Sequence, residues 1–313
     1  MSATDRLLAT ELDSKLQEFS SNKRNLPGIR AAANRATLVR QFIDSIHRVK
    51  YISVVATRNL SALRADPSSD LFDPIKGAIL RFSQEQHDEA CWLVFLSVHF
   101  GKHRRAGWRL ARDVYGRLGH KNPWTWRRVS ARPDHFRDWL AENQDTLKND
   151  GILRRFGNHR KYQSLDARSS GGTGAAIESY VKWSKPARNH LEFMMSFVDK
   201  AGGDRRKAFH LLYESMEAVA AFGRTARFDY LTMIGKMKLA PIEPGSTYMQ
   251  GATGPFDGAR LLFGKIQTVG VSRTKLDAWL VELGGNLGVG MQEMEDALCN
   301  WQKSPARFKH FGG

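Results

Sequence analysis

The 313-residue chain has only two cysteines, Cys91 and Cys299. They share no framework spacing, which excludes a disulfide-stapled secreted domain and points to free thiols in a reducing compartment. Long apolar runs are also missing. The longest, residues 90–100, is far short of the ~20 residues a membrane span needs. The N-terminus lacks the charged-then-apolar pattern of a secretory leader. A cytoplasmic protein without membrane association is expected. Neither the Gly-x-x-x-x-Gly-Lys-Ser/Thr phosphate loop nor the dinucleotide fingerprint occurs, so ATP-driven and nicotinamide chemistry have no support and no cofactor is expected. His99 and His103 stand four apart, but the Glu of a zinc-protease helix does not accompany them. They read as unrelated histidines, and no metal site is expected.

Acidic residues are scarce in one stretch. Residues 101–137 hold eleven lysines and arginines against two acids, Asp113 and Asp134. That surplus is over half of the formal net charge of +16 for the whole chain. Such a balance favours a polyanionic partner, with nucleic acid ahead of an acidic membrane surface. Lys102, Arg104 and Arg105 are candidate phosphate contacts. Trp108, Trp124 and Trp126 are interleaved with the cations and read as core more than as base-stacking rings. A second basic loop, residues 156–162, offers His159 and Arg160, either to phosphate or simply to solvent.

Alternation at period two is nearly absent; residues 51–55 are the one short strand candidate. Apolar residues recur instead at helical spacing, as at Leu38, Phe42, Ile43 and Ile46. Helices are predicted over residues 7–19, from Pro27 onward, and over 88–99, 105–118, 133–148, 188–200, 204–221, 224–238 and 290–303. Asp204 is the predicted N-cap of its helix. The fold is read as all-α. The Ser- and Gly-rich residues 164–174 suggest two lobes, 1–165 and 175–313. Near Pro255, residues 251–263 resemble a helix-hairpin-helix turn that would offer backbone N–H groups of Gly251 and Gly254 to a phosphate. An ordinary turn before a helix explains them equally well.

Two helices are unusually dense in polar groups. On residues 224–238 a narrow polar stripe of Thr225, Asp229, Thr232 and Lys236 runs between two apolar faces. A half-buried stripe of this kind lines a crevice, where Asp229 could act as a base or stabilise a cation; a structural ion pair is the alternative. On residues 290–303 the core stripe is Met291, Met294, Leu298 and Trp301. Gln292, Asp296, Asn300 and Lys303 lie opposite, and Glu295 sits at the border, where a carboxylate is costly unless used or paired.

Residues 92–96, 99–105, 156–162, 223–230 and 295–305 are similar to runs of the alpha-glutamyl/putrescinyl thymine pyrophosphorylase family, clade 3. The resemblance extends over nearly the whole chain. It implies an all-α enzyme related to helix-hairpin-helix DNA glycosylases, acting on hypermodified bases in DNA of the kind phages carry. The expected activity is glycosylase-type excision of a modified pyrimidine, as in anti-phage defence. One alternative is exchange of pyrophosphate on a modified thymine for an amine; a non-catalytic DNA-binding module is another. The catalytic candidates are Asp229, Glu295, Asp296 and Lys236. Arg224 and Arg227 would hold phosphate or leaving-group charge, while Asn300, Trp301, Gln292 and Tyr248 would read or stack the base. The familiar glycosylase hairpin followed by a catalytic Asp is not cleanly present.

Overall fold

The computed structural model describes residues 2–310. Fourteen α-helices, joined by turns and short 3-10 segments, make up the described fold, and no strand occurs among the described residues. The all-α reading therefore holds. No helix among the described residues is long and apolar enough to cross a membrane.

The chain groups into two units, residues 1–52 with 244–312, and residues 53–243. These differ from the lobes expected at 1–165 and 175–313. The reason is a core shared by the two ends of the chain. In the first unit α1 (Ala3–Asn22), α2 (Ala32–Ala56, as far as Ile52), α12 (Gly254–Phe263), α13 (Arg273–Leu287) and α14 (Met291–Trp301) enclose one cluster. Leu12, Leu16, Phe42, Leu262, Leu280, Met294 and Trp301 are fully buried in it or nearly so. At about 25 cal/mol per Å² of apolar surface removed from water, such side chains supply most of the drive for the two ends to associate. Ser2 and Asp5 form a capping box at the start of α1, which satisfies N–H groups that have no partner inside the helix.

Residues 53–243 contain α3 (Pro74–Ser83) through α11 (Arg224–Lys236). Their centre is α4 (His87–Phe100), which is buried on every side from Ala90 onward. Its residues Trp92, Phe95 and His99 stack with Tyr180 of α8 (Thr173–Ser184) and with Phe222, which precedes α11. Asp204 caps α10 (Arg205–Ser215) as predicted, accepting from the N–H groups of Arg206 and Lys207. The strand candidate at 51–55 is instead the last part of α2. Its β-branched residues favour strands only weakly, and tertiary context overrides that preference.

The turn expected at 251–263 also differs. Residues 237–253 contain no helix, so Gly251 and Gly254 do not join two helices; Gly254 opens α12. Gly254 and Gly258 serve close packing instead. A Cβ on Gly258 would lie 2.4 Å from the Leu298 carbonyl oxygen of α14. The helical hairpin of this region is α12, the turn over residues 264–272, and α13, whose N-cap Ser272 accepts from the Lys275 N–H.

Candidate functional site

Three runs far apart in the sequence meet within residues 53–243: 99–105, 156–162 and 223–230. Their meeting is dictated by backbone. Helix α4 ends at Gly101, which has φ +65°, a conformation that favours glycine. The Gly157 N–H donates to the Phe100 carbonyl, and a Cβ on Gly157 would come within 2.8 Å of Gly101. Neither position accepts a side chain without displacing the other loop.

This close approach seats Arg160. Its side chain is 7% exposed, yet every part of the guanidinium finds an acceptor. Nε donates to the Val98 carbonyl at 2.6 Å, Nη1 to the His159 carbonyl at 3.2 Å, and Nη2 to Asp229 Oδ2 at 2.7 Å. Asp229 stands on α11 with 45% of its side chain exposed. The result is a carboxylate presented to solvent and held from behind by an enclosed cation. A charge-assisted bond of this kind fixes the rotamer as well as the charge. The loop carrying Lys102, Arg104 and Arg105, which starts where Gly101 meets Gly157, is exposed, as is His159. An exposed carboxylate next to exposed cations can bind or deprotonate an amine while the cations take up phosphate.

His99 lies just beneath. Its Nε2 is 3.0 Å from the Thr173 hydroxyl, which itself donates to the Ser164 carbonyl. The hydroxyl proton is thus spent, and His99 must be the donor through Nε2–H. Nδ1 is enclosed without a hydrogen-bond partner among the described residues. Burial, and then the charge of Arg160, push the imidazole down from 6.5 to about 3. The unfolded chain takes up this proton as pH falls through 6.5 while the folded chain refuses it. Stability from this group is complete above that value and is lost toward pH 3. His99→Gln is therefore expected to cut the loss of unfolding free energy between pH 7 and 4.5 by about 2–3 kcal/mol relative to wild type. Denaturant titrations at the two pH values check this; an unchanged difference would show that His99 does not carry the acid sensitivity. His103 is engaged separately, its Nδ1 accepting from the N–H groups of Arg105 and Ala106.

The other predicted residues divide between the two units. Arg227 donates to the Tyr213 carbonyl and to Glu217, and Arg224 lies over the Phe228 ring. Lys236 is half-buried at the C-terminal end of α11. In residues 244–312, Glu295 is 9% exposed, while Asp296 faces Arg48 at 3.7 Å. The Asn300 side-chain oxygen Oδ1 accepts from Lys303 Nζ at 3.2 Å. Trp301 is fully buried, and its N–H donates to the Asn34 and Pro305 carbonyls, so it serves the core. Gln292 and Tyr248 are half-buried, Gly254 likewise, and Gly251 is exposed with φ +74°. Among the interleaved rings, Trp124 is core and carries Arg128 and Arg117 over its face.

Sequence reasoning missed a second group in residues 53–243, formed by Asp88, Glu89, Tyr180 and His190. Two acids at the start of an apolar helix read simply as favourable to the helix dipole, and nothing in the spacing ties them to residues 180 and 190. Among the described residues no group of three or more His, Cys, Asp or Glu is placed to hold a metal ion.

The sequence model of the family described as alpha-glutamyl/putrescinyl thymine pyrophosphorylase clade 3 matches residues 33–313. The chain belongs to this family. No curated protein and no solved structure matches it.

Proposed function

We propose that this member of the thymine pyrophosphorylase clade acts on DNA carrying a pyrophosphorylated thymine derivative and exchanges the pyrophosphate for an amine. The observation that carries the reading is a solvent-facing Asp229 held by Arg160, on a segment whose Gly157 packs against the start of the exposed basic loop 102–105. The family description supports exchange over excision. In the exchange the amine nitrogen attacks the carbon that bears the pyrophosphate. A C–N bond forms, and the C–O bond breaks with its electron pair leaving on pyrophosphate. Asp229 accepts the proton that the amine loses and later yields it to solvent. Arg160 is a positioning residue that holds Asp229, and Lys102, Arg104 and Arg105 hold phosphate. Asp229 is preferred to Glu295 because its side chain is half exposed whereas Glu295 is buried.

Excision of the modified base is the second reading. The α12–α13 hairpin favours it. Gly270 at φ +74° has no atom near a would-be Cβ, and Ile266 and Val269 at the tip are 83% and 73% exposed. Such a turn before a helix N-terminus suits a phosphate.

The test is pyrophosphate release. Release that requires both the pyrophosphorylated DNA and an amine supports exchange; release of free base, or no release from the complete mixture, overturns it. Binding is tested separately by changing Lys102, Arg104 and Arg105 together to Ala. The plot of log affinity against log salt is expected to flatten by about 2–3. An unchanged slope would remove these cations from the interface.

A further inference from the structure

A cleft of about 710 Å³ opens over the first turn of α4, within residues 53–243. Its walls carry both signs of charge, with Arg81, Arg127 and His87 against Glu85, Asp88 and Glu89, and Trp126 and Tyr115 between them. The acids sit on an elaborate support. Asp88 Oδ1 accepts from the His190 backbone N–H at 2.7 Å and from its Nδ1 at 2.8 Å. Since Nδ1 faces a carboxylate, it carries the ring proton. Nε2 is then the acceptor for Tyr180, 2.8 Å away, and the Tyr180 oxygen accepts from Tyr230 at 2.8 Å. His190, Tyr180 and Tyr230 are 1% exposed or less, so this chain of bonds reaches the cleft at one end, Asp88. Asp88 itself has 34% of its side chain exposed.

The neighbouring carboxylate is placed otherwise. Glu89 accepts from the Tyr115 hydroxyl and the Trp126 N–H, both at 2.7 Å. Burial pushes Glu89 above the ordinary range despite those bonds. For Asp88 burial also opposes ionisation, but the His190 hydrogen bonds outweigh it and hold it low. Two adjacent carboxylates are thus drawn apart, one toward the neutral form and one toward the anion. Among the described residues, Arg81 Nε and His87 Nδ1 in this lining are enclosed without hydrogen-bond partners.

We propose that this cleft is a second binding site, for a small ligand that carries an ammonium group and an acidic group, such as a free amino acid. Asp88 receives the ammonium. Arg81, with Arg127 at the rim, receives the carboxylate. Trp126 and Tyr115 cover the carbon skeleton. A simple anion would meet Glu85 and Asp88, and a simple amine two arginines, so neither matches the cleft as a zwitterion does. The site is built from the cleft alone and does not depend on the exchange reading.

Calorimetric titration of the full chain without DNA, using L-glutamate, glutarate and putrescine as probes, tests this apart from any turnover. L-Glutamate is expected to bind in the millimolar range or tighter, at least about tenfold better than glutarate or putrescine, a gap that one lost charged contact accounts for. Arg127 is exposed, so Arg127→Ala is expected to keep the fold and to weaken L-glutamate several-fold. Asp88→Asn is expected to weaken it tenfold or more, with the melting temperature recorded alongside. Equal binding of the three probes, binding unaffected by Arg127→Ala and Asp88→Asn, or no binding at all would each overturn the proposal.

Discussion

Asp229→Asn is expected to slow exchange on pyrophosphorylated DNA by about 10³-fold, within the range for loss of a positioned base. The asparagine keeps the shape of the side chain and can still accept from Arg160, so geometry is retained while the proton acceptor is lost. DNA affinity should change little, because the phosphate contacts assigned to Lys102, Arg104 and Arg105 are untouched. Some stability is lost too, since the enclosed Arg160 cation loses its counter-charge. Rates must therefore be taken well below the melting temperature of the variant. Single-turnover kinetics with saturating enzyme isolate the chemical step. A rate within a few-fold of wild type would remove Asp229 from the chemistry.

The largest structural effect is expected at Arg160. Arg160→Met leaves Asp229 without its cation and the Val98 carbonyl without its donor. Asp229 is half exposed and regains water, so the cost is that of the lost hydrogen bonds, about 1–3 kcal/mol. Arg160→Lys should recover little of this, because a point charge cannot serve three acceptors that a planar fork meets at once. Adding Asp229→Asn to Arg160→Met should cost less than the sum of the two, with a coupling energy of about 1 kcal/mol or more. Denaturant unfolding of the four proteins checks it. Strict additivity would show that the pair contributes nothing as a pair.

The legibility of the sequence varied with the range of the interaction. Helix α11 was readable because a 13-residue helix repeats its pattern locally, although Thr232 of the expected polar stripe is buried, its hydroxyl donating to the Phe228 carbonyl. Asp204 was readable as a cap for the same reason. The partner of Asp229 was not, since Arg160 lies 69 residues away and only the approach of Gly101 to Gly157 brings it there. Gly254 misled the reading. It is small because α14 passes close by, with Cys299 Sγ 2.6 Å from where its Cβ would be, and not because the chain turns there. The unit boundaries were hidden for a related reason, because the core shared by α1 and α12–α14 joins the two ends of the sequence. Asp88 and His190, 102 residues apart, belong to the same class of unreadable pairing.

The most direct test is mass spectrometry of the nucleosides recovered from pyrophosphorylated DNA after incubation with an amine, using wild-type protein and Asp229→Asn in parallel. The expected result is a nucleoside whose mass shows pyrophosphate replaced by the amine, intact glycosidic bonds, and almost no product from the variant. Free modified base with alkali-labile strands, or the same adduct formed equally well by Asp229→Asn, would contradict the account.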